Sequence, residues 1–229
     1  MGVGDCRRPF RNLESADDID IVFHDTDEPY AFTIEDRITN GTDFGGIFAG
    51  PSGGMSGEYR HAVVLDSDKV MDHADLLGAD DNQVDAAIKD AAPYMTAEQR
   101  EESVQYITED ENVFDADEDS VTDLFNATDL GEASHEAQYI RGQVARSLGY
   151  QAARMYDETG TSTLVMPGIT TYPLRTDENT SQAGARIYDE WKEYKARANQ
   201  PESRPFYRSD EDLMRSTETN SPVSHPDHG

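Results

Sequence analysis

The chain has almost no cysteine and no long apolar run. Cys6 is the only cysteine among 229 residues, so an internal disulfide is excluded. No stretch of about 18 or more apolar residues occurs, and the opening residues lead into no hydrophobic signal core. These absences argue against a membrane span and against export, and they predict a cytoplasmic protein.

Positive charge is scarce as well. The chain has 19 Lys and Arg against 47 Asp and Glu, and lysine occurs only at positions 69, 89, 192 and 195. Binding to a nucleic-acid backbone or to an anionic membrane surface requires a cluster of basic residues, and none stands out along the chain. We therefore expect neither nucleic acid nor a membrane among the partners. The oligomeric state stays open.

The formal net charge of -28 predicts a protein adapted to concentrated salt. So much like charge repels itself in ordinary buffer. At about 1 M salt the Debye length falls to roughly 3 Å, so the carboxylates no longer repel one another and instead keep the surface hydrated. The shortage of lysine also resembles the composition of haloarchaeal proteins. We expect the source to be a haloarchaeon or a virus that grows in one.

Apolar residues are still numerous enough for a folded core. Hydrophobic residues make up 36% of the chain, with 11 Tyr and 8 Phe among the aromatics. This composition favours a folded protein over a disordered acidic chain, and also over an acidic mimic of nucleic acid that acts by charge alone. The length suits one domain of ordinary size with tails.

Apolar runs at five places predict strands. The runs are residues 19–23, 61–66, 152–156 and 163–166, and a short run within 45–54 that opens into a glycine loop. A turn signal separates the last two runs, so they are predicted to form a hairpin.

From about residue 70 to residue 148 the pattern is instead helical and very acidic. Four residues are predicted to delimit its helices: Thr96, Ser120 and Ser134 as N-caps and Gly149 as a C-terminal stop.

These patterns divide the chain into four parts. Residues 1–18 form a polar N-terminal segment, and residues 19–175 form an α+β domain that contains the acidic helical insertion at about 70–148. Residues 176–200 hold a C-terminal helix, predicted around 185–198. The polar composition of residues 201–229 predicts a disordered tail.

Several short motifs follow one another in an order typical of one family. The motifs are Phe23-His24-Asp25-Thr26 at a strand end, Gly45-Gly46-Ile47-Phe48-Ala49, Tyr59 before a strand, and Leu148-Gly149-Tyr150 before the hairpin. This order resembles the ADP-ribosyltransferase-like domains of phages and mobile elements, over about residues 19–170. The resemblance implies an α+β fold in which two small mixed or antiparallel sheets form a cleft for NAD.

The resemblance also implies roles for particular residues. In that family the first-strand histidine binds the ribose and the nicotinamide amide of NAD, and a tyrosine stacks on the nicotinamide ring. By position these roles fall to His24 and Tyr59, with Thr26 as a further NAD-binding residue of the same strand-end motif. NAD is then a substrate, and its ADP-ribose is transferred to a protein target.

A carboxylate is the remaining part of such a site. Breaking the bond between nicotinamide and ribose builds an oxocarbenium-like cation, which a carboxylate near the ribose stabilises. The family's acid commonly stands just before the last apolar strand, where this chain has Ser162. Glu158 in the preceding turn is the first candidate to replace it, and Asp157 is the second. Asp25 also stands where the family has a glycine.

Two hypotheses from different classes stay open. The first is an NAD-dependent ADP-ribosyltransferase, active or degenerate. The second is a non-catalytic structural or interaction protein of a haloarchaeal virus, located in the virion. No metal site is predicted, because the common zinc motifs are absent and His225 and His228 belong to the predicted tail.

Overall fold

The computed structural model describes residues 10, 13, 16–34, 44–53, 57–108, 113–157 and 160–198, with only the backbone at 156, 157, 160 and 161. The strands in these ranges are β1 (Ile19–Thr26), β2 (Phe32–Thr33), β3 (Ile47–Ala49), β4 (Tyr59–Asp66), β5 (Val70–Met71), β6 (Ala152–Asp157), β7 (Gly160–Val165) and β8 (Thr170–Pro173). The helices are α1 (His73–Leu77), α2 (Asp81–Ala91), α3 (Ala97–Thr108), α4 (Glu118–Phe125), α5 (Leu130–Ser147) and α6 (Thr180–Ala198).

The strands form two four-stranded sheets, as predicted for an α+β fold. The first sheet has the order β1-β4-β8-β2 and is antiparallel throughout. The second sheet has the order β3-β7-β6-β5 and is mixed, because β5 pairs with β6 in parallel. Phe23 and Gly50 join the sheets by two backbone hydrogen bonds of 2.8 and 2.9 Å.

The two sheets face each other across a shared apolar cluster. Val63 and Leu65 of β4 contribute to it from the first sheet, and Ala49, Ala152 and Val165 contribute from the second. Successive side chains of a strand point to opposite faces, so the positions two residues apart from Val63 share this inner face. The predicted strands at 19–23 and 61–66, the predicted short strand within 45–54 and the predicted hairpin are confirmed.

The outer face of the first sheet packs against α6. Phe23 and Ala62 lie in one cluster with Ile187 and Trp191 of that helix. Residues Phe10, Leu13 and Ala16 are buried in the same cluster, although they belong to the segment that composition marks as polar. The C-terminal helix begins at Thr180, five residues before the predicted start.

The outer face of the second sheet packs against the acidic helical insertion. Ile140 and Val144 of α5 share a cluster with Met155 and Leu164 of the sheet. Gly142 allows the close approach of α5, since a Cβ atom there would lie 2.6 Å from a methyl carbon of Leu164. The insertion therefore covers one sheet with apolar side chains and turns its carboxylates outward.

Of the four residues predicted to delimit helices, two are confirmed and two are wrong. Thr96 and Gln99 form the predicted capping box, and Gly149 follows α5 with a φ of +88°. The two predicted serine caps are wrong. Asp117 caps α4 in place of Ser120, and Asp129 caps α5 in place of Ser134. Both serines lie inside their helices, because an aspartate three or more residues earlier already accepts the free backbone N–H groups.

Three short strands, β2, β5 and β8, were not predicted from the sequence. The predicted disordered tail at 201–229 lies outside the described residues. Within the described part of the chain, no helix is both long and apolar enough to cross a membrane.

Candidate functional site

One end of the inner face of the first sheet brings several predicted residues together. Thr26 pairs with Tyr59 across β1 and β4, and His24 pairs with His61. Residues two apart in a strand share a face, and so do residues paired directly across two strands. These four positions therefore lie on the face that carries Val63, toward the second sheet.

The ring of His24 is held in one tautomer. Its Nδ1 lies 2.8 Å from the backbone carbonyl oxygen of Phe48, in the glycine-rich segment of the second sheet. A carbonyl oxygen can only accept, so Nδ1 carries the proton and donates. With the proton on Nδ1, Nε2 of the uncharged ring is an acceptor.

Tyr59 stands at the first position of β4 with 36% of its surface exposed. The carboxylate of Glu58 raises the pKa of the Tyr59 phenol, and burial raises it further. The ring is therefore neutral at ordinary pH and offers an aromatic face to solvent. Thr26, its cross-strand neighbour, accepts a hydrogen bond from the backbone N–H of Glu28 at 3.2 Å.

His61 was not singled out from the sequence, yet it is fully buried beside His24. Its Nε2 lies 2.8 Å from the carbonyl oxygen of Glu28, and its Nδ1 lies 2.8 Å from the hydroxyl oxygen of Thr171. Burial lowers the pKa of His61, and the nearby His24 lowers it further against the opposing effect of the Glu28 carbonyl. A neutral ring that donates through Nε2 and accepts through Nδ1 satisfies both contacts.

Asp25, at the position of the family's glycine, has a structural partner. Its two carboxylate oxygens accept hydrogen bonds of 2.6 and 2.9 Å from the guanidinium of Arg60. The same guanidinium lies against Gly53, whose φ of +93° requires a glycine. By strand alternation Asp25 lies on the face opposite to His24. The Asp25 carboxylate therefore holds the Arg60 guanidinium next to Gly53, on the face opposite to the candidate site.

The two candidate acids belong to the segment that connects β6 and β7 in sequence. The backbone of Asp157 pairs with Gly160, while the Asp157 side chain and the whole of Glu158 lie outside the described part of the chain. Ser162 pairs with Met155, whose side chain is buried under the helices. The assignment of the acid to Glu158 or Asp157 therefore stays a prediction.

A described carboxylate also faces the inter-sheet space. Asp20 of β1 accepts a 2.9 Å hydrogen bond from Arg154 of β6, and this ion pair joins the two sheets. Asp20 is four residues from His24, which corresponds to about 13 Å along a strand. The pair therefore stands at the other end of β1 and braces the sheets there.

The described ranges contain no group of three or more His, Cys, Asp or Glu residues that could hold a metal ion. His225 and His228 lie outside those ranges.

This part of the molecule lies within a range that matches a known protein family. Residues 22–171 match the model of a family described as Anti-CRISPR Type I-F ADP-ribosyltransferase AcrIF11. The chain belongs to this family. The matched range includes His24, Thr26, Tyr59 and the β6–β7 hairpin, and it nearly coincides with the range 19–170 over which the sequence resembles ADP-ribosyltransferase-like domains. That resemblance is confirmed at the level of the family.

A solved structure is also similar to the chain. The structure titled "Crystal structure of an anti-CRISPR protein" is 22% identical and covers 69% of this chain and 98% of its own, with a TM-score of 0.47. No curated protein matches the sequence.

Sequence reasoning missed His61 and the Asp20–Arg154 pair. The alternation of β4 places His61 on the same face as Tyr59, so the strand pattern alone could have drawn attention to it. Nothing local indicates the ion pair, because Asp20 and Arg154 are separated by 134 residues.

Proposed function

We propose that this protein is an NAD-dependent ADP-ribosyltransferase that modifies a protein. The observation that carries the proposal is the hydrogen bond that fixes the His24 ring, on the same sheet face as the partly exposed Tyr59. Family membership supports the same reaction class, since ADP-ribosyltransferases take ADP-ribose from NAD.

The residues of the inner face fit the nicotinamide end of NAD. The Nε2 of His24 can accept a hydrogen bond from a ribose hydroxyl or from the carboxamide N–H of nicotinamide. The ring of Tyr59 provides a flat surface on which the nicotinamide ring can stack. The hydroxyl of Thr26, on the same face, is a further polar contact for the ribose.

The reaction needs one covalent exchange at the ribose. The bond from C1′ to the nicotinamide nitrogen breaks, and its electron pair leaves with neutral nicotinamide. A nucleophilic side chain of the target then bonds to C1′ and loses its proton. The oxocarbenium-like charge in between is stabilised by a nearby carboxylate. We assign this carboxylate to Glu158 first and to Asp157 second.

The family name indicates the kind of target. Its members are described as acting against type I-F CRISPR systems, so we propose that the acceptor is a protein of a CRISPR defence system. The reaction would take place in the cytoplasm of the host cell. The net charge of -28 further supports a host with concentrated internal salt, such as a haloarchaeon.

The first experiment measures NAD binding by calorimetry in roughly 2 M KCl, where the carboxylates are screened. We expect the wild-type protein to bind NAD and His24→Ala to bind at least tenfold more weakly, a loss of about 1.4 kcal/mol. The matched control is His228→Ala, because His228 lies outside residues 22–171, the range that matches the family. That variant should bind NAD as the wild type does.

The absence of NAD binding by folded wild-type protein would overturn the proposal. The non-catalytic viral interaction protein would then become the leading hypothesis.

The assignment of the carboxylate is tested by release of nicotinamide from NAD. Glu158→Gln should keep NAD affinity within about twofold and lower nicotinamide release by 100-fold or more, since a neutral amide cannot stabilise the cation. Asp157→Asn is the matched control and should retain most activity. The opposite result would transfer the role to Asp157, and full activity in both variants would remove the hairpin from the mechanism.

A further inference from the structure

The segment from Glu28 to Phe32 is fastened at both ends by His61. At its start, the Nε2 of His61 contacts the carbonyl oxygen of Glu28 at 2.8 Å. At its end, the ring of Phe32 lies 5.4 Å from the His61 ring, centroid to centroid. Thr171 links the same two residues, because it bonds to Nδ1 of His61 and pairs with Phe32 in the sheet. One buried side chain therefore fixes the position of a five-residue surface segment.

Tyr30 lies in the middle of this segment and is 78% exposed. The segment runs beside the start of β4, since the carboxylate of Asp27 accepts a 3.3 Å hydrogen bond from the backbone N–H of Glu58. Tyr59 follows Glu58 directly. The phenol of Tyr30 also contributes to the raised pKa of Tyr59, as expected for neighbouring groups. Two exposed tyrosines therefore stand at the same edge of the candidate site.

This arrangement suits a ligand with two planar rings. The exposed ring of Tyr30 contributes no packing to the stability of the free protein. Because the ring is attached to a fixed segment, less entropy is lost when a ligand binds to it. NAD has a nicotinamide ring at one end and an adenine ring at the other. Tyr59 is assigned to the nicotinamide ring, so Tyr30 remains to pack against the adenine ring.

We propose that Tyr30 contacts the adenine ring of NAD and that His61 is the positioning residue that holds Tyr30 for this contact. The inference rests on the proposed NAD site at His24. Since the nicotinamide mononucleotide lacks adenine, it should bind without help from Tyr30.

The test compares calorimetric affinities for NAD and for nicotinamide mononucleotide in roughly 2 M KCl. Tyr30→Ala should weaken NAD binding about three- to tenfold, as stacking contributions predict, and leave mononucleotide binding unchanged. Tyr30→Phe should retain NAD affinity because it keeps the ring. Tyr94→Ala serves as the control, since Tyr94 is a half-exposed tyrosine of the insertion, and it should change neither affinity.

The role of His61 is tested with His61→Ala and with His61→Gln, which retains a donor for the Glu28 carbonyl. His61→Ala should lose the same NAD-specific fraction of affinity as Tyr30→Ala, and the double variant should lose no more than either one. His61→Gln should recover part of the loss, and it replaces His61→Ala in the cycle if the alanine variant does not fold. Additive losses would show that His61 acts by another route and would overturn the positioning role.

The outcomes separate this inference from the proposed function. No NAD binding by the wild type contradicts the NAD site itself. Wild-type binding with equal effects of Tyr30→Ala on both ligands, or with no effect on either, overturns the adenine contact alone. Unchanged affinity combined with slower modification of a target protein would place Tyr30 at the acceptor instead, which also overturns it.

Discussion

The two sheets have four strands each, but they carry different side chains. Polar, hydrogen-bonded side chains lie on the inner face of the first sheet, and apolar side chains lie on the face of the second sheet that the helices cover. The inner face of the first sheet holds His24, His61 and Thr171, each with a specific hydrogen-bond partner. The face of the second sheet under the helices holds Met155 and Leu164 in an apolar cluster. Directed polar contacts set positions for binding, whereas apolar packing contributes mainly to stability. Substitutions in the two regions should therefore have different consequences.

The largest expected effect on stability lies under the insertion. Ile140 is fully buried in the cluster that joins α5 to the second sheet. Ile140→Ala should lower the free energy of unfolding by about 2–5 kcal/mol, because it removes apolar contacts and leaves a cavity. Urea unfolding in concentrated KCl measures the change. The folded variant should bind NAD normally, and a specific loss of NAD affinity would break the proposed division of roles.

A smaller loss should follow removal of a helix cap in the same insertion. The side chain of Asp117 accepts a hydrogen bond from the backbone N–H of Ser120 at 3.1 Å. Asp117→Ala should cost about 0.5–2 kcal/mol of unfolding free energy. Ser120→Ala is the natural comparison, since it keeps this backbone hydrogen bond and removes only the 2.8 Å bond that the Ser120 hydroxyl donates to the same carboxylate. It should cost less than Asp117→Ala. Equal losses would contradict the assignment of the cap to Asp117.

The stability of the first sheet should depend on pH through His61. Burial lowers the pKa of His61 in the folded protein, so between that pKa and about 6.5 the unfolded chain binds more protons than the folded chain. The contribution of neutral His61 is complete above pH 6.5 and is lost as the pH falls toward the folded pKa. Unfolding free energies of wild type and His61→Gln, measured from pH 7.5 to 5, should therefore converge in acid.

Carboxylates also titrate in acid, so the readout is the difference between the two proteins, in which the carboxylates that both share cancel. A His61→Gln curve that runs parallel to the wild type would contradict the lowered pKa.

The smallest expected effect concerns the brace between the sheets. Asp20 and Arg154 form an ion pair whose side chains are 33% and 43% exposed. Asp20→Asn should cost roughly 0–1 kcal/mol in dilute salt and almost nothing in about 2 M KCl, because salt screens exposed pairs. Urea unfolding at two salt concentrations measures both values. A loss that persists in concentrated salt would show that the pair has a larger structural role.

The strongest sequence predictions concerned elements with clear periodicity. The alternating run from Ile19 and the two runs of the hairpin are read directly from local pattern, and all appear as strands. Strands β2 and β5 are two residues long, too short to show a period. Strand β8 ends in Pro173 and is defined by its distant partners.

The serine caps failed for a related reason. An acidic chain offers an aspartate near almost every helix start, and Asp117 and Asp129 were better placed than the serines. At the candidate site, family motifs led to His24, Thr26 and Tyr59, and the structure places them on one face. The contacts of His61 could not be anticipated, because its partners Glu28 and Thr171 lie 33 and 110 residues away.

The parallel pairing of β5 with β6 determines how the helical insertion is attached. Val70 pairs with Ala152, and the backbone N–H of Gln151 bonds to the carbonyl oxygen of Lys69 at 2.7 Å. The chain therefore departs into the helical insertion, of which the described residues form α1 to α5, and returns to the neighbouring strand, one strand spacing of about 4.8 Å away. The length and the charge of the insertion can therefore change without moving the strand that carries His24, provided that its apolar face still covers the second sheet.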